Sequence, residues 1–251
     1  MQHVIGVFGG SGFYEFIDNA AAVTVDTPYG APAAPYMVGS VDGVDVAFLP
    51  RHGANHELPP HIVNFRANVW GMRELGVSCV IGPSAVGSLQ EGYAPGEFAV
   101  ADQLVDRTAG RERTFFDGPE VEHLSFADPY CENLRQVAIE GLRGVGATAH
   151  DGGTIVVIQG PRFSTRAESA FYAAQGWELI NMTQEPEVAL CRELEMCYVN
   201  ISVITDYDVG VAGERPAVTH EEVLSGFESS LGMLRNAVRS MLPVMASQHD
   251  C

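Results

Sequence analysis

Lysine is absent from this sequence, because all 14 of its basic residues are arginines. No lysine-dependent chemistry is therefore available. Positive charge is scarce as well: 32 acidic residues outnumber the arginines and give a net charge of −18. This balance disfavours nonspecific nucleic-acid binding and a basic role at a membrane surface. A small anion can still be bound, because a pocket needs only a few local cations and backbone N–H groups.

Cysteine is also scarce, and its pattern is not that of a disulfide framework or a structural zinc site. The five cysteines are an odd number without a Cys-x-x-Cys pair, and no histidine spacing suits a metal. The N-terminus lacks a basic stretch followed by an apolar one, and no uncharged apolar run reaches 18 residues. These absences predict a cytoplasmic protein without a signal peptide or membrane span.

The chain does contain enough apolar material for one full core, since 46% of its 251 residues are hydrophobic. Strand-like apolar runs alternate with helix-like patterns. The strand-like runs are Val4–Phe8, Val44–Leu49, Cys79–Ile81, Phe98–Ala101, Thr154–Ile158 and Tyr198–Ile204, and the helix-like ones are Pro60–Leu75, Tyr130–Gly144, Ser164–Gln175, Pro186–Glu195 and Thr219–Met241. This alternation predicts an α/β fold: one three-layer domain over residues 1–251, with a central mixed sheet flanked by helices.

Polar clusters follow several of these strands. The first strand runs into a glycine turn around Ser11, which lets the backbone approach an anion, although a tight turn without a ligand is an open alternative. Arg51, at the end of a strand, is a candidate bidentate phosphate ligand, with His52 or His56 supplying a hydrogen bond. Ser84 follows another strand. Metal binding by this histidine group is disfavoured, because no carboxylate pattern accompanies it.

Later clusters have two readings each. Ser164 or Thr165 is either the N-cap of a helix or part of a site. Thr183 stands just ahead of the next helix. Asp206 and Asp208 follow the long apolar strand, at the edge where ligands of α/β sheets collect, and they are either functional carboxylates or members of a turn.

Together these segments resemble the trimeric purine nucleoside phosphorylase superfamily and, within it, the 5′-methylthioadenosine phosphorylase branch. The resemblance covers nearly the whole chain. It is carried by Gly9-Gly10-Ser11-Gly12, Thr27-Pro28-Tyr29-Gly30, Arg51-His52-Gly53, Asn64-Phe65-Arg66-Ala67-Asn68, Gln159 to Ser169, Asn181-Met182-Thr183 and Thr205-Asp206-Tyr207-Asp208.

The resemblance implies that phosphate, as co-substrate, cleaves the glycosidic bond of a purine nucleoside without a metal or organic cofactor. It places Ser11, Arg51, His52, Ser84, Ala85 (through its backbone) and Thr183 at the phosphate, Met182 at the ribose, and Phe163, Ser164, Asp206 and Asp208 at the base. It also implies a homotrimer, in which His123 or Phe126 reaches a neighbouring subunit's sugar pocket.

The residue types suit this chemistry on their own terms. Bond cleavage develops positive charge on the sugar and negative charge on the purine, so that a phosphate held beneath the sugar is both nucleophile and electrostatic partner. A buried Asp206 with a raised pKa could protonate N7 of the leaving purine, while Asp208 orients the base or supports Asp206.

Three alternatives remain open at the level of sequence. A Ser/His/Asp hydrolase is disfavoured, because Ser84 lacks the Gly-x-Ser-x-Gly context. A noncatalytic nucleoside-binding protein would not need the phosphate residues. Within the family, the Asp206-x-Asp208 pair favours 6-aminopurines over the 6-oxopurines inosine and guanosine. His220 stands where methylthioadenosine enzymes usually carry a small apolar residue, so it either meets a 5′-hydroxyl or faces solvent on a helix capped by Thr219.

Overall fold

The computed structural model describes residues 4–9, 17–209, 211 and 217–247. The strands are β1 (Val4–Gly9), β2 (Asp18–Val23), β3 (Tyr36–Val41), β4 (Val44–Pro50), β5 (Val77–Ser88), β6 (Phe98–Val100), β7 (Gln103–Arg107), β8 (Ala149–Asp151), β9 (Thr154–Ile158), β10 (Leu179–Asn181) and β11 (Cys197–Tyr207). The helices are α1 (Phe65–Glu74), α2 (Glu132–Gly144), α3 (Arg166–Ala174), α4 (Gln184–Glu193) and α5 (His220–Ser247).

Strand β5 is the centre of one mixed sheet. It runs parallel to β1 on one side and to β11 on the other, and its last two residues pair antiparallel with β10. The main path through the sheet is β2-β3-β4-β1-β5-β10-β9-β7, while β11, β6 and β8 branch from β5. The parallel strands β1, β4, β5 and β11 all end at one edge of the sheet, where ligands of such folds bind.

Helices cover both faces of this sheet, so the predicted three-layer α/β fold is confirmed. On one face, α2 and α5 pack against each other and bury residues such as Leu134, Leu142 and Leu234. On the other face, α1 and α4 pack together over a second apolar cluster that includes Val69 and Leu190. The amphipathic helix patterns of the sequence correspond to these buried faces.

Strand β5 is longer than its sequence predicts, since it continues through Gly82 and Pro83 to Ser88. Glycine and proline normally interrupt a strand pattern. Here Gly82 is required by packing, because a Cβ at this position would lie 1.7 Å from the hydroxyl oxygen of Tyr198. The extension matters for the site: it carries Ser84 and Ala85 inside the sheet.

Two further sequence predictions bear on the fold as a whole. The thiols of Cys79, Cys131 and Cys191 are free and buried, whereas Cys197 is disulfide-bonded, a pairing that the cysteine pattern did not indicate. Among the described helices, none combines the length and the apolar character that a membrane crossing requires.

Candidate active site

A cavity of about 730 Å³ opens where the parallel strands end, and we call it the main cavity. The structure brings together most of the residues predicted from sequence, because Arg51, His52, Ser84, Ala85, Phe163, Ser164, Met182, Thr183, Asp206, Asp208 and His220 all line it. Ser11 lies outside the described residues. The cavity has an Arg51 end, formed by β4, β5 and the start of α4, and an Asp206 end, formed by β11 and the segment before α3.

At the Arg51 end, protein groups already engage part of the Arg51 guanidinium. Glu187 occupies its Nε–Nη2 face, since Nε and Nη2 each donate to the carboxylate at 2.6 Å, and Nη1 donates to the Pro83 carbonyl at 3.0 Å. Both side chains are almost fully buried. A buried guanidinium needs a counter-charge, and Glu187 supplies it. One N–H on each of Nη1 and Nη2 remains.

Glu187 was missed from the sequence, although it holds the centre of a buried network. The Tyr198 hydroxyl donates to Glu187 at 2.6 Å, and the amide of Gln184 donates to that hydroxyl at 3.1 Å. Glu187 lies on α4 and Tyr198 on β11, so no local pattern joins them. The network fixes Arg51 at the edge of the cavity.

Ser84 is oriented by two amides that sequence reasoning also missed. Its oxygen accepts from Nδ2 of Asn181 at 3.3 Å and from Nδ2 of Asn200 at 3.1 Å. With both lone pairs engaged, the single hydroxyl proton is left to donate. Thr183 stands at the N-cap of α4, but its side chain makes no capping bond. Both hydroxyls are therefore available as neutral donors to an anion in the cavity.

His52 is held as a neutral imidazole. Its Nδ1 lies 2.8 Å from the Leu58 carbonyl, which can only accept, so Nδ1 carries the proton and Nε2 is an acceptor. Burial, followed by the nearby charge of Arg51, lowers the pKa of His52 to about 4. The side chain therefore offers a lone pair to the cavity and no cation.

At the Asp206 end, hydroxyl groups hold both carboxylates. Ser164 donates to Asp208 at 2.8 Å and Ser169 donates to the same oxygen at 2.5 Å. Ser164 is thus a site residue, while Thr165 is the N-cap of α3 and forms a capping box with Glu168. The Thr205 hydroxyl lies 2.7 Å from Oδ2 of Asp206. Ser169 does not line the main cavity itself, but it holds Asp208 in place, a role that the sequence pattern did not indicate.

Burial raises the pKa values of both carboxylates. Burial raises the pKa of Asp206 to about 6, and the neighbouring charges of Asp208 and Glu222 add to the effect. Burial also raises the pKa of Asp208, against the hydrogen bonds from its two serines. An aspartic acid that carries its proton near pH 6 can act as a general acid.

Beyond these residues, the cavity continues along the first turns of α5. Val223, Leu224, Phe227 and Leu231 give it an apolar wall. His220, the first residue of α5, follows the predicted capping threonine and is exposed, yet it lines the cavity with its ring centroid 6.0 Å from that of His56. Both readings of His220 thus hold in part: it belongs to a capped first turn, and it faces the site.

His123 and Phe126, the predicted inter-subunit residues, do not line the main cavity of their own chain. Phe126 packs against the core cluster beneath α1 and α4, whereas His123 is exposed. Over the described ranges, no group of histidine, cysteine and acidic side chains is arranged to hold a metal ion.

Comparison with known proteins assigns the chain to a family. The family model of the phosphorylase superfamily matches residues 4–242. An S-methyl-5′-thioadenosine phosphorylase of Mycolicibacterium smegmatis is 51% identical over 99% of this chain and 93% of its own length. A purine nucleoside phosphorylase of Streptomyces coelicolor is 48% identical over 98% of this chain and 91% of its own.

Solved structures agree with these sequence relatives. A variant of the adenosine/methylthioadenosine phosphorylase of Schistosoma mansoni, in complex with adenine, superposes with a TM-score of 0.93 at 36% identity and covers 98% of this chain and 93% of its own. A methylthioadenosine phosphorylase from an Antarctic soil metagenomic library gives a TM-score of 0.93 at 34% identity, with 100% and 89% covered. The fold, the site and the full-length matches together show that this chain belongs to the phosphorylase superfamily.

Proposed function

We propose that this protein cleaves 5′-methylthioadenosine or adenosine with phosphate, giving adenine and the corresponding ribose 1-phosphate. Relatives that cover nearly the whole chain at about half identity carry the name methylthioadenosine phosphorylase. The observation that carries the proposal is the composition of the main cavity. Hydroxyl groups that can donate hydrogen bonds to an anion lie at one end, and an aspartic acid with a pKa of about 6 lies at the other.

At the Arg51 end, phosphate meets donors of several kinds. The hydroxyls of Ser84 and Thr183 and the remaining N–H groups of Arg51 donate to its oxygens, and Ala85 contributes its backbone. Hydrogen phosphate also has one P–OH group, and the neutral Nε2 of His52 can accept from it. Ser11 joins this set by resemblance only. Because Arg51 is already paired with Glu187, binding relies on hydrogen bonds as much as on net charge.

At the Asp206 end, the purine leaves as phosphate attacks. The C1′–N9 bond breaks with its electron pair on the purine, a phosphate oxygen bonds to C1′, and Asp206 gives its proton to N7. Asp208, fixed by Ser164 and Ser169, orients the base. Phe163 flanks the base and Met182 lies against the ribose, both on the cavity wall.

The carboxylate pair favours adenine. The exocyclic amine of a 6-aminopurine donates a hydrogen bond that a carboxylate accepts, whereas the 6-oxo group of inosine is an acceptor. The relative named purine nucleoside phosphorylase keeps a 6-oxopurine activity as the second candidate. His220 is proposed to contact the 5′ substituent.

Assembly and cofactors complete the proposal. The reaction needs neither a metal nor an organic cofactor, since phosphate supplies the nucleophile and Asp206 the proton. A homotrimer is proposed, with His123 or Phe126 placed near the 5′ end of a neighbour's substrate. Light scattering that showed a fully active monomer would exclude such shared sites.

One assay tests the proposed function. Release of base from methylthioadenosine, adenosine and inosine is measured side by side, with and without phosphate, and with arsenate in its place. We expect adenine release that depends on phosphate or arsenate, and slower release of hypoxanthine. Equal base release in phosphate-free buffer would identify a hydrolase and overturn the assignment.

A further inference from the structure

A second cavity, of about 560 Å³, adjoins the main cavity at the end of β11. Thr205 and Asp206 line both cavities and are the only described residues that do so, so they form the partition between them. The other walls of the second cavity come from Pro95, Tyr207, Val218, Glu221, Glu222 and Ser225. Asp206 can therefore be reached from a side that the nucleoside does not occupy.

The Thr205 hydroxyl is placed to serve both protonation states of Asp206. Its oxygen lies 2.7 Å from Oδ2 of Asp206 and 3.3 Å from the carbonyl oxygen of Val86, but it has a single proton. When Asp206 is a carboxylate, Thr205 donates to it. When Asp206 is protonated, Thr205 accepts from it and donates to the Val86 carbonyl. A hydroxyl that can donate to Asp206 in one state and accept from it in the other could pass on a proton received from a donor in the second cavity.

Helix α5 packs directly against Thr205. Gly226 lies so close to Thr205 that a Cβ at residue 226 would stand 2.9 Å from the Thr205 carbonyl oxygen. Glu222, one turn earlier on α5, lines the second cavity and is exposed to solvent. It is fixed by a capping box with Thr219, since Thr219 N–H donates to Glu222 at 3.1 Å and Glu222 N–H donates to the Thr219 hydroxyl at 3.2 Å. A carboxylate is thus held at the solvent side of the partition.

We propose that the second cavity returns a proton to Asp206 after each turnover, through the Thr205 hydroxyl, with Glu222 as the positioning carboxylate that favours the protonated form. The inference rests on the proposed phosphorolysis with Asp206 as acid. After Asp206 has protonated N7, its carboxylate takes the Thr205 hydroxyl proton while Thr205 receives one from a protonated solvent species in the second cavity. The purine product blocks the other approach.

The charged groups around Asp206 are consistent with this role. Asp208 faces it from its own strand end and Glu222 from α5, and both negative charges raise the pKa of Asp206 beyond the effect of burial. Glu221 lines the same second cavity, and His220 lines the main cavity. From β5, the neighbours are Val86 and Gly87, which do not titrate; a Cβ at Gly87 would lie 3.1 Å from Oδ1 of Asp206.

The first test changes one charge at a time. Glu222→Gln keeps the capping hydrogen bonds but removes the charge that favours the Asp206 proton, so the alkaline limb of the pH profile of kcat should move to lower pH by a few tenths to about one unit. Glu221→Gln is the matched control, because it removes the same charge from the same cavity. An equal shift in both variants, or none in Glu222→Gln, overturns the role of Glu222.

The second test concerns the relay itself. Thr205→Val should lower kcat about tenfold or more with little change in the KM for phosphate. Its rate should rise with the concentration of a small protonated buffer such as imidazolium, and its solvent isotope effect should exceed that of the wild type. Thr205→Ser should restore the wild-type behaviour.

A loss in Thr205→Val that is independent of buffer and unrescued by serine would mean a merely structural role and contradict the relay. Failure of the proposed function itself would be seen earlier, as wild-type protein that releases no base in response to phosphate.

Discussion

At the Arg51 end of the main cavity, a buried cation is matched by a buried carboxylate, whereas at the Asp206 end two carboxylates receive hydrogen bonds from neutral hydroxyls. The Arg51–Glu187 pair fixes its charges through two hydrogen bonds of 2.6 Å. Asp206 and Asp208, by contrast, have raised pKa values chiefly because both are buried, and the charges of Asp208 and Glu222 raise the pKa of Asp206 further. One end thus holds a constant charge state and the other holds an exchangeable proton, which is the division of labour that phosphorolysis needs.

The same contrast recurs within α4, over two residues. Glu187 is ion-paired with Arg51. Glu185 is buried with one carboxylate oxygen lacking a hydrogen-bond partner, and burial raises its pKa to about 8. Identical substitutions at these two positions should therefore have opposite consequences.

The largest expected effect is on catalysis at the Asp206 end. Asp206→Asn removes the proton donor, so kcat for adenine nucleosides should fall by ~10²–10⁴-fold. Because the Asn amide can donate to a 6-oxo group, the ratio of activities should move toward inosine. Steady-state kinetics with adenosine and inosine measure both changes. Unchanged discrimination between the two bases would show that Asp206 does not contact the base edge.

The next largest expected effect is a loss of stability when the ion pair at the Arg51 end is broken. Glu187→Gln leaves the Arg51 guanidinium buried without its counter-charge, which should lower the free energy of unfolding by about 3–5 kcal/mol. Urea unfolding at neutral pH measures the loss. Arg162→Ala breaks an exposed pair with Glu168 and is the control, for which a much smaller change in midpoint is expected. Comparable losses in the two variants would refute the buried network as a structural centre.

A smaller effect is expected on the choice between the 5′-methylthio and 5′-hydroxyl substrates. If His220 hydrogen-bonds a 5′-hydroxyl, His220→Val should favour methylthioadenosine and disfavour adenosine, moving the ratio of their kcat/KM values by about tenfold. The methylthio group is a weak acceptor that leaves an imidazole partly unpaired. A ratio within a factor of two of the wild type means that the 5′ preference is set elsewhere, with Val223 and Leu224 the next candidates.

The last expected effect is on stability; it concerns Glu185 and appears only as pH changes. Its folded pKa of about 8 lies above its ordinary value of 4.5, so the folded state binds the extra proton. Stability from this group is complete below about pH 4.5 and declines as pH rises through 8. Glu185→Gln abolishes that decline.

Between pH 6 and 8, the variant should therefore gain about 2 kcal/mol relative to wild type. Urea unfolding at both pH values tests it, and the comparison with wild type cancels the titration of other groups. Parallel stability curves for the two proteins would show that Glu185 is ionised in the folded state.

The sequence predicted the fold and the membership of the site because both follow local patterns. Thr154–Ile158 is a strand with the predicted bounds, and Asp206 stands at the end of its strand as expected. Ser84 was found through its position after an apolar run, and Thr183 through its position just ahead of a helix. Each of these signals lies within a few neighbouring residues.

What the sequence could not predict depends on distant partners. Glu187 meets Arg51 across 136 positions of the chain, and Asn200 reaches Ser84 across 116. Such pairs leave no spacing to recognise, so neither the Glu187 partner of Arg51 nor the Asn200 partner of Ser84 was predicted. Strand β2 was missed because it is mostly alanine with Asp and Asn at its start and has Val23 as its one β-branched residue, and β10 was missed because it has only three residues.

The central claim is that Asp206 holds an exchangeable proton near neutral pH, and its carboxyl titration tests this most directly. Protein labelled with ¹³C at the aspartate carboxyls is titrated by NMR, and Asp206→Asn identifies the Asp206 resonance by its disappearance. A midpoint near pH 6 for that resonance is the predicted result. A midpoint at or below the ordinary aspartate value of 3.8 would contradict the account, because Asp206 would then be ionised and without a proton to give.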